Sequence, residues 1–134
     1  MSSQNSPIWV RPDVVLAIHE IVIAEHGGSV GLRDATLLDS ALARPQNAWA
    51  YADPPLRVTD IAAVYAIGIC RNHPFIDGNK RVAFAVLETF LNLNGLILTA
   101  SDADCVTAMW ALAAGTTSDA EFTAWVRDHA QLQS

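Results

Sequence analysis

Two long apolar stretches flank a short, densely polar one, and this arrangement restricts what the chain can fold into more than any other feature. Residues 61–70 carry only apolar side chains and Gly68, and from Asn79 onward come Val82, Phe84, Val86, Leu87, Phe90, Leu91 and Leu93. A helix that is apolar on every face belongs at the centre of a bundle, where neighbouring helices cover all of it. The first stretch is half the roughly 20 residues that a bilayer crossing needs, so burial inside protein, not membrane, is expected. Thr59 or Asp60 starts this central helix. It should end near Asn72, because the residue before Pro74 is pushed out of the helical region.

The flanking sequence supplies the outer helices. Pro12 suits a first helical position, and Val14, Val15, Ile18, Ile21 and Val22 recur at helical spacing until Gly27-Gly28. Asp34 caps a second helix with a Leu37, Leu38, Ala41, Leu42 stripe, which Pro45 is expected to end. Residues 46–56, with Trp49, Tyr51 and Pro54-Pro55, then read as an ordered aromatic loop or small hairpin, a flap. Gly95 stops the second central helix. Ser101 with Asp104, and Ser118 with Glu121, mark two further starts. Val106, Met109, Trp110 and Ala113 form the expected buried face of one helix, and Phe122, Trp125, Val126 and His129 that of the next. No run alternates at strand length, so the class is all-α, six to seven helices around two buried central ones, in one domain over residues 1–134.

Composition narrows the partners. Charged residues are 16% of the chain against roughly 25% in an average soluble domain, and hydrophobic residues are 51%, which excludes disorder. A net charge of −6 repels phosphate backbones and anionic lipid, so neither direct nucleic-acid binding nor membrane binding is expected. The two cysteines, Cys70 and Cys105, make no disulfide framework, and residues 1–7 lack a basic, then apolar, leader pattern. A cytoplasmic location is expected.

Seven polar or charged side chains crowd residues 71–81, between the two greasiest helices. A chain selected only to bury a core would not place them there. Gly78, Asn79, Lys80 and Arg81 stand where a helix begins, so free backbone N–H groups and the positive dipole end converge into an anion site. Lys80 is the only lysine in the protein, and Arg81 adjoins it. Asn79 has an amide to offer a phosphate oxygen. Asp77 has the hard oxygen chemistry for Mg²⁺, which bridges one carboxylate to phosphates. His73 carries an imidazole able to take a hydroxyl proton near neutral pH. A pattern fixing His, Phe, Asp, Gly, Asn, Lys and Arg, each at roughly one in twenty, recurs by chance about once in 10⁹ windows. Phe75 reads as a core anchor for the loop, Arg71 as a salt-bridge residue, and His19, His26 and His129 as structural or surface residues.

The run His73-Pro74-Phe75-Ile76-Asp77-Gly78-Asn79-Lys80-Arg81 resembles the HPFx(D/E)GN motif of the Fic/Doc family, and its Asn-Lys-Arg ending resembles the death-on-curing, or Doc, toxin branch. His19, Gly27-Gly28, Gly31-Leu32-Arg33-Asp34, residues 37–42 and Arg44-Pro45-Gln46 look like the N-terminal half of such sequences. The resemblance implies a Fic fold whose motif loop binds ATP or another nucleoside triphosphate with Mg²⁺. It implies His73, Asp77, Asn79, Lys80 and Arg81 as catalytic residues, Asp77 as the metal ligand, and Gly78, Asn79, Lys80 and Arg81 as nucleotide-binding residues. Adenylylating members continue Gly-Asn-Gly-Arg-x-x-Arg, whereas here Lys80 replaces the glycine and Phe84 the second arginine. The implied activity is therefore a Doc-type kinase toxin, passing the γ-phosphate to a Thr or Ser hydroxyl of a translation elongation factor and so inhibiting translation. The alternative is a Fic-type protein adenylyltransferase. The family's self-inhibitory (S/T)xxxE(G/N) pattern is incomplete at Thr117 to Phe122, so the resemblance implies restraint by a Phd-type antitoxin whose tail covers the active site. In related proteins the flap aligns the target segment by strand-like pairing, a role open to Trp49 and Tyr51, for which packing against the first central helix is an equal alternative.

Overall fold

The computed structural model describes residues 6–133, so the polar start at residues 1–5 lies outside it. Six helices and two short strands follow one another: α1 Pro12–His26, α2 Ala35–Tyr51, α3 Val58–Asn72, α4 Asn79–Leu93, β1 Leu96–Leu98, α5 Asp102–Ala114, α6 Asp119–His129 and β2 Ala130–Leu132. The all-α class expected from the sequence is the class observed. Most helix starts are the ones the side chains dictate. Asp34, Ser101 and Ser118 each accept a hydrogen bond from a first-turn backbone N–H, and Ser118 with Glu121 closes a full capping box.

Helix α3 is the axis of the molecule. Ile61, Ala62, Ala63, Tyr65, Ala66, Ile67 and Ile69 are all buried, and α3 packs chiefly on α4 and α2, then on α6. From α4 come Val82, Ala83, Val86, Leu87, Phe90 and Leu91, which complete the central layer. The largest fully buried side chains, Tyr65, Phe75, Phe90 and Phe122, link these two helices with the motif turn and α6. Fully burying one such side chain is worth about 1.5–3 kcal/mol, so this central pair dominates stability. Among the described residues, no helix is long and apolar enough to cross a membrane.

Four expectations are corrected. Pro45 does not end α2 but lies inside it. A proline lacks the N–H that would bond Ala41 O. Here α3 lies so close to that carbonyl, with Gly68 opposite, that a Cβ at Gly68 would stand 3.4 Å from Ala41 O. Packing against α3 outweighs the one missing ladder bond. Residues 46–51 are consequently helical, Trp49 is half-buried against the core, Tyr51 is exposed, and neither lies on a hairpin or flap.

On α5 the buried residues are Cys105, Met109 and Leu112, whereas Val106 and Trp110 are 57% and 60% exposed and Ala113 is exposed. That helix has two apolar faces, and only one is covered. Finally, β1 and β2 pair antiparallel, Leu96 opposite Leu132 and Leu98 opposite Ala130, which the sequence reading did not anticipate. Strands of three residues are too short to show alternation.

Candidate active site

The polar segment forms a tight turn joining α3 to α4. Its first residue, His73, is the only non-glycine residue with positive φ among the described residues, at φ 53° and ψ 54°. Such a left-handed conformation costs of order 1–3 kcal/mol and persists only where surroundings hold it. They do so here. Arg33 donates from Nε to His73 O at 2.8 Å and from Nη2 to Asn72 O at 2.9 Å. The backbone N–H groups of Arg33 and Asp34 both bond Pro74 O, at 2.7 and 3.1 Å. Ile76 N–H bonds Gly31 O at 3.1 Å, and Leu32 pairs with Phe75 as an antiparallel bridge. The segment lying alongside the motif is therefore 28–34, between α1 and α2, and not 46–56. Its glycines, Gly28 and Gly31, were the signal available in the sequence.

Within the turn, Asn79 is 4% exposed and faces inward. Its Oδ1 accepts from Phe75 N–H at 2.9 Å, and its Nδ2 donates to Phe75 O at 2.9 Å. The same Nδ2 lies 3.0 Å from His73 Nδ1. In the structure both hydrogens of this amide are directed inside the loop, one to Phe75 O and one to His73 Nδ1. The pairing with Phe75 also fixes which end of the amide faces the imidazole, since a flip would set N–H against N–H and oxygen against oxygen. His73 Nδ1 is thus an acceptor, and the resting ring carries its hydrogen on Nε2. Phe75 itself is fully buried, as expected for the loop's anchor.

Asp77 is held at both ends of the residue. Its Oδ2 accepts from Ser29 N–H at 2.7 Å, and its main-chain oxygen lies 3.1 Å from Nε2 of the buried His19. Gly28, at φ 115°, fits against it so closely that an added Cβ would stand 3.1 Å from the Asp77 Cβ. Oδ1 has no hydrogen-bond partner among the described residues and is free to meet a cation. No group of three or more His, Cys, Asp or Glu side chains able to hold a metal occurs among the described residues. Any ion here would share one carboxylate with phosphate oxygens and water, the arrangement Mg²⁺ favours. The donor set fits that ion.

Beyond Asp77 the character changes. Gly78, at φ 82°, is the N-cap of α4, and no side chain caps it, which leaves the first-turn N–H groups open to an anion. Lys80 and Arg81 then turn into a groove of about 800 Å³ between α1, α4 and α5, whose lining includes Ile21, Phe84, Val106 and Trp110 but neither His73 nor Asp77. The Lys80 ammonium rests 3.6 Å from the centre of the Trp110 ring. Arg71, one turn before the motif, is ion-paired with Asp119 at 2.6 Å, as expected. Burial pushes the Cys70 thiol up to about 11 despite nearby Lys80 and Arg71, so it is no nucleophile.

Sequence reasoning thus found the motif but missed its holders, His19, Ser29 and Arg33, whose parts depend on contacts with a turn some 40 to 60 residues away.

A bundle around two apolar helices is thus joined by a turn that brings together an imidazole, one carboxylate and an uncapped helix start. The Fic/DOC family model matches residues 9–91, the stretch that contains every residue just described except those of α5 and α6, and the chain belongs to that family. Over 74 residues it is 46% identical to a Toxin Doc of Mycolicibacterium smegmatis, covering 55% of this chain and 57% of that protein. Over 90 residues it is 31% identical to a protein of Escherichia phage P1 named Protein kinase doc, covering 65% of this chain and 68% of that one. The chain thus spans little more than half the length of the mycobacterial relative.

Proposed function

We propose that this protein is the toxin of a toxin–antitoxin pair and acts as a protein kinase on a Thr or Ser hydroxyl of a translation elongation factor. The reading is supported by the two Doc relatives, one of which is named a protein kinase. It rests above all on one observation. Lys80 occupies the α4 start beside the groove, and Phe84, one turn further, presents an apolar ring where adenylylating members carry a second arginine. A cation and its bulk beside the helix start suit a terminal phosphate better than an internal one that carries a nucleoside. The γ-phosphate of ATP would then face His73.

Each side chain has a defined task in this reading. The α4 N–H groups, Lys80 and Arg81 hold phosphate oxygens and neutralise charge as it develops. Asp77 offers Oδ1 to Mg²⁺, which when bound would draw phosphate charge and orient the group being transferred. His73 removes the hydroxyl proton through Nε2. For this the ring must first hold its hydrogen on Nδ1, so the contact with Asn79 opens as the substrate settles. Asn79 keeps the turn in shape. The groove, with exposed Ile21, Val106 and Trp110 at its edge, suits the apolar face of a helix from a Phd-type antitoxin tail, which would cover Lys80 and Arg81.

The test is incubation of the protein with Mg²⁺, elongation factor and ATP labelled at the γ or the α position. Label from γ is expected on the factor, and none with His73→Ala. Transfer of α-label instead would replace the kinase by an adenylyltransferase. Lys80→Gly is expected to lower γ-transfer, and unchanged γ-transfer in that variant would overturn the role given to Lys80.

A further inference from the structure

We infer that His19 is a positioning residue that locks the peptide bond between Asp77 and Gly78, so that Asp77 and the Gly78 N–H keep the orientation an incoming phosphate–metal pair needs. The inference rests on the reading of Asp77 and the α4 start as the ion and phosphate site. His19 lies on α1, far from the motif in sequence, and is 4% exposed. Its ring lies parallel to Phe75, centroids 4.0 Å apart and planes 9° from parallel, which fixes its height in the core. The Nε2 atom then stands 3.1 Å from Asp77 O. A carbonyl oxygen only accepts, so Nε2–H is the donor.

The peptide unit gives this single bond its leverage. In a planar trans peptide the C=O and the following N–H point in opposite directions. Holding Asp77 O inward against α1 therefore aims the Gly78 N–H away from α1. Gly78 adopts φ 82°, and glycine passes between positive and negative φ with little cost, so this peptide is the one in the turn that could most easily flip. A flipped peptide would present a carbonyl oxygen to an anion in place of a donor, and would shift the backbone that carries the Asp77 side chain. The second hold on Asp77, Ser29 N–H to Oδ2, restrains the carboxylate but not the plane of its peptide.

Two substitutions at one position separate positioning from mere support. His19→Phe keeps the flat ring against Phe75 and loses the donor, whereas His19→Gln loses the ring and places an amide N–H near the position of Nε2. Binding of Mg²⁺ with inorganic tripolyphosphate is measured by calorimetry, stability by thermal melting, and the 77–78 peptide by crystal structures of the variants. Loss of one such hydrogen bond is expected to weaken binding about tenfold in His19→Phe, with His19→Gln recovering most of it. The melting temperatures are expected to rank the other way, with His19→Gln lower, because it gives up the buried ring. The inference is overturned if affinity merely follows stability, or if the 77–78 peptide in His19→Phe keeps the wild-type orientation. Wild-type protein that binds no tripolyphosphate would instead overturn the reading of the site, and the crystal structures would still decide the role of His19.

Discussion

The two ends of the motif are built on opposite principles. From His73 to Asp77 the turn is gripped: Arg33, Asp34, Gly31, Ser29 and His19 all bond it, and Asn79 fills its interior. From Lys80 onward the side chains enter an open, largely apolar groove, where the nearest partner of the only lysine is the face of a tryptophan. Reacting atoms must be placed to within fractions of an ångström, and the gripped end has that precision. A surface that admits different occupants needs area and give, which the groove has. Changes at His73 and in the bonds that place it should therefore act on rate, and changes in the groove wall on affinity, while Asp77 and the α4 start lie between the two and bear on both.

The largest effect is expected at His73. His73→Ala should lower phosphate transfer by about 10²–10⁴-fold, the range for losing a general base, with tripolyphosphate binding and melting temperature unchanged. A matching loss of binding would mean that the two ends are not separable. Next comes Arg33→Ala, which removes two charge-assisted bonds from a strained turn, worth about 1.5–3 kcal/mol each when charged donors are involved. Transfer should fall at least about tenfold and the melting temperature should drop. Arg33→Lys should recover only part, because an ammonium cannot span both carbonyls as the fork does.

At the groove, Trp110→Ala should weaken tripolyphosphate binding by only about two- to fivefold, the scale of an exposed cation–π contact, and leave the transfer rate at saturation unchanged. A rate defect there would break the division of labour.

The smallest effect concerns Glu88, on α4 near the groove. Burial, and then the charge of Asp102, raise its pKa from the usual 4.5. The folded protein therefore takes up that proton more readily than the unfolded chain, so stability is gained as pH falls through the raised value and the charged form is a burden at neutral pH. Glu88→Gln should melt slightly higher at pH 7 and lose that advantage as pH approaches 4.5. An equal advantage at every pH would show that the carboxylate is not strained in the fold.

What could be read in advance follows the same division. The central helices, their caps and the turn were legible, because local patterns decide them: an all-apolar run, Ser118 with Glu121, a residue before Pro74. The open groove was not legible on α5, since Val106 and Trp110 repeat at the same helical spacing as buried residues and periodicity does not say which apolar face is covered. Pro45 misled for a tertiary reason, as its environment in the bundle and not its ring decides where α2 stops. Asn79 reads as a ligand donor by type, and the bonds of its amide to the Phe75 peptide are contacts that the residue order does not reveal. Apart from Gly28 and Asp34, read as helix boundaries, the segment 28–34 was noticed only as part of a resemblance, because a loop that pairs by single bridges leaves no strand pattern.

The seam where Gly68 lies against Ala41 has a consequence for how this protein can vary. There is room there for one methyl group in ordinary contact and no more, so alanine would fit while valine or leucine would act as a wedge between α2 and α3. Leu37, near the start of α2, accepts at its carbonyl a bond from Asn72 Nδ2 at 2.9 Å, just ahead of the imidazole proposed as the base. Driving the helices apart would pull on that tether, and a residue that touches nothing reactive would thereby detune the chemistry from a distance.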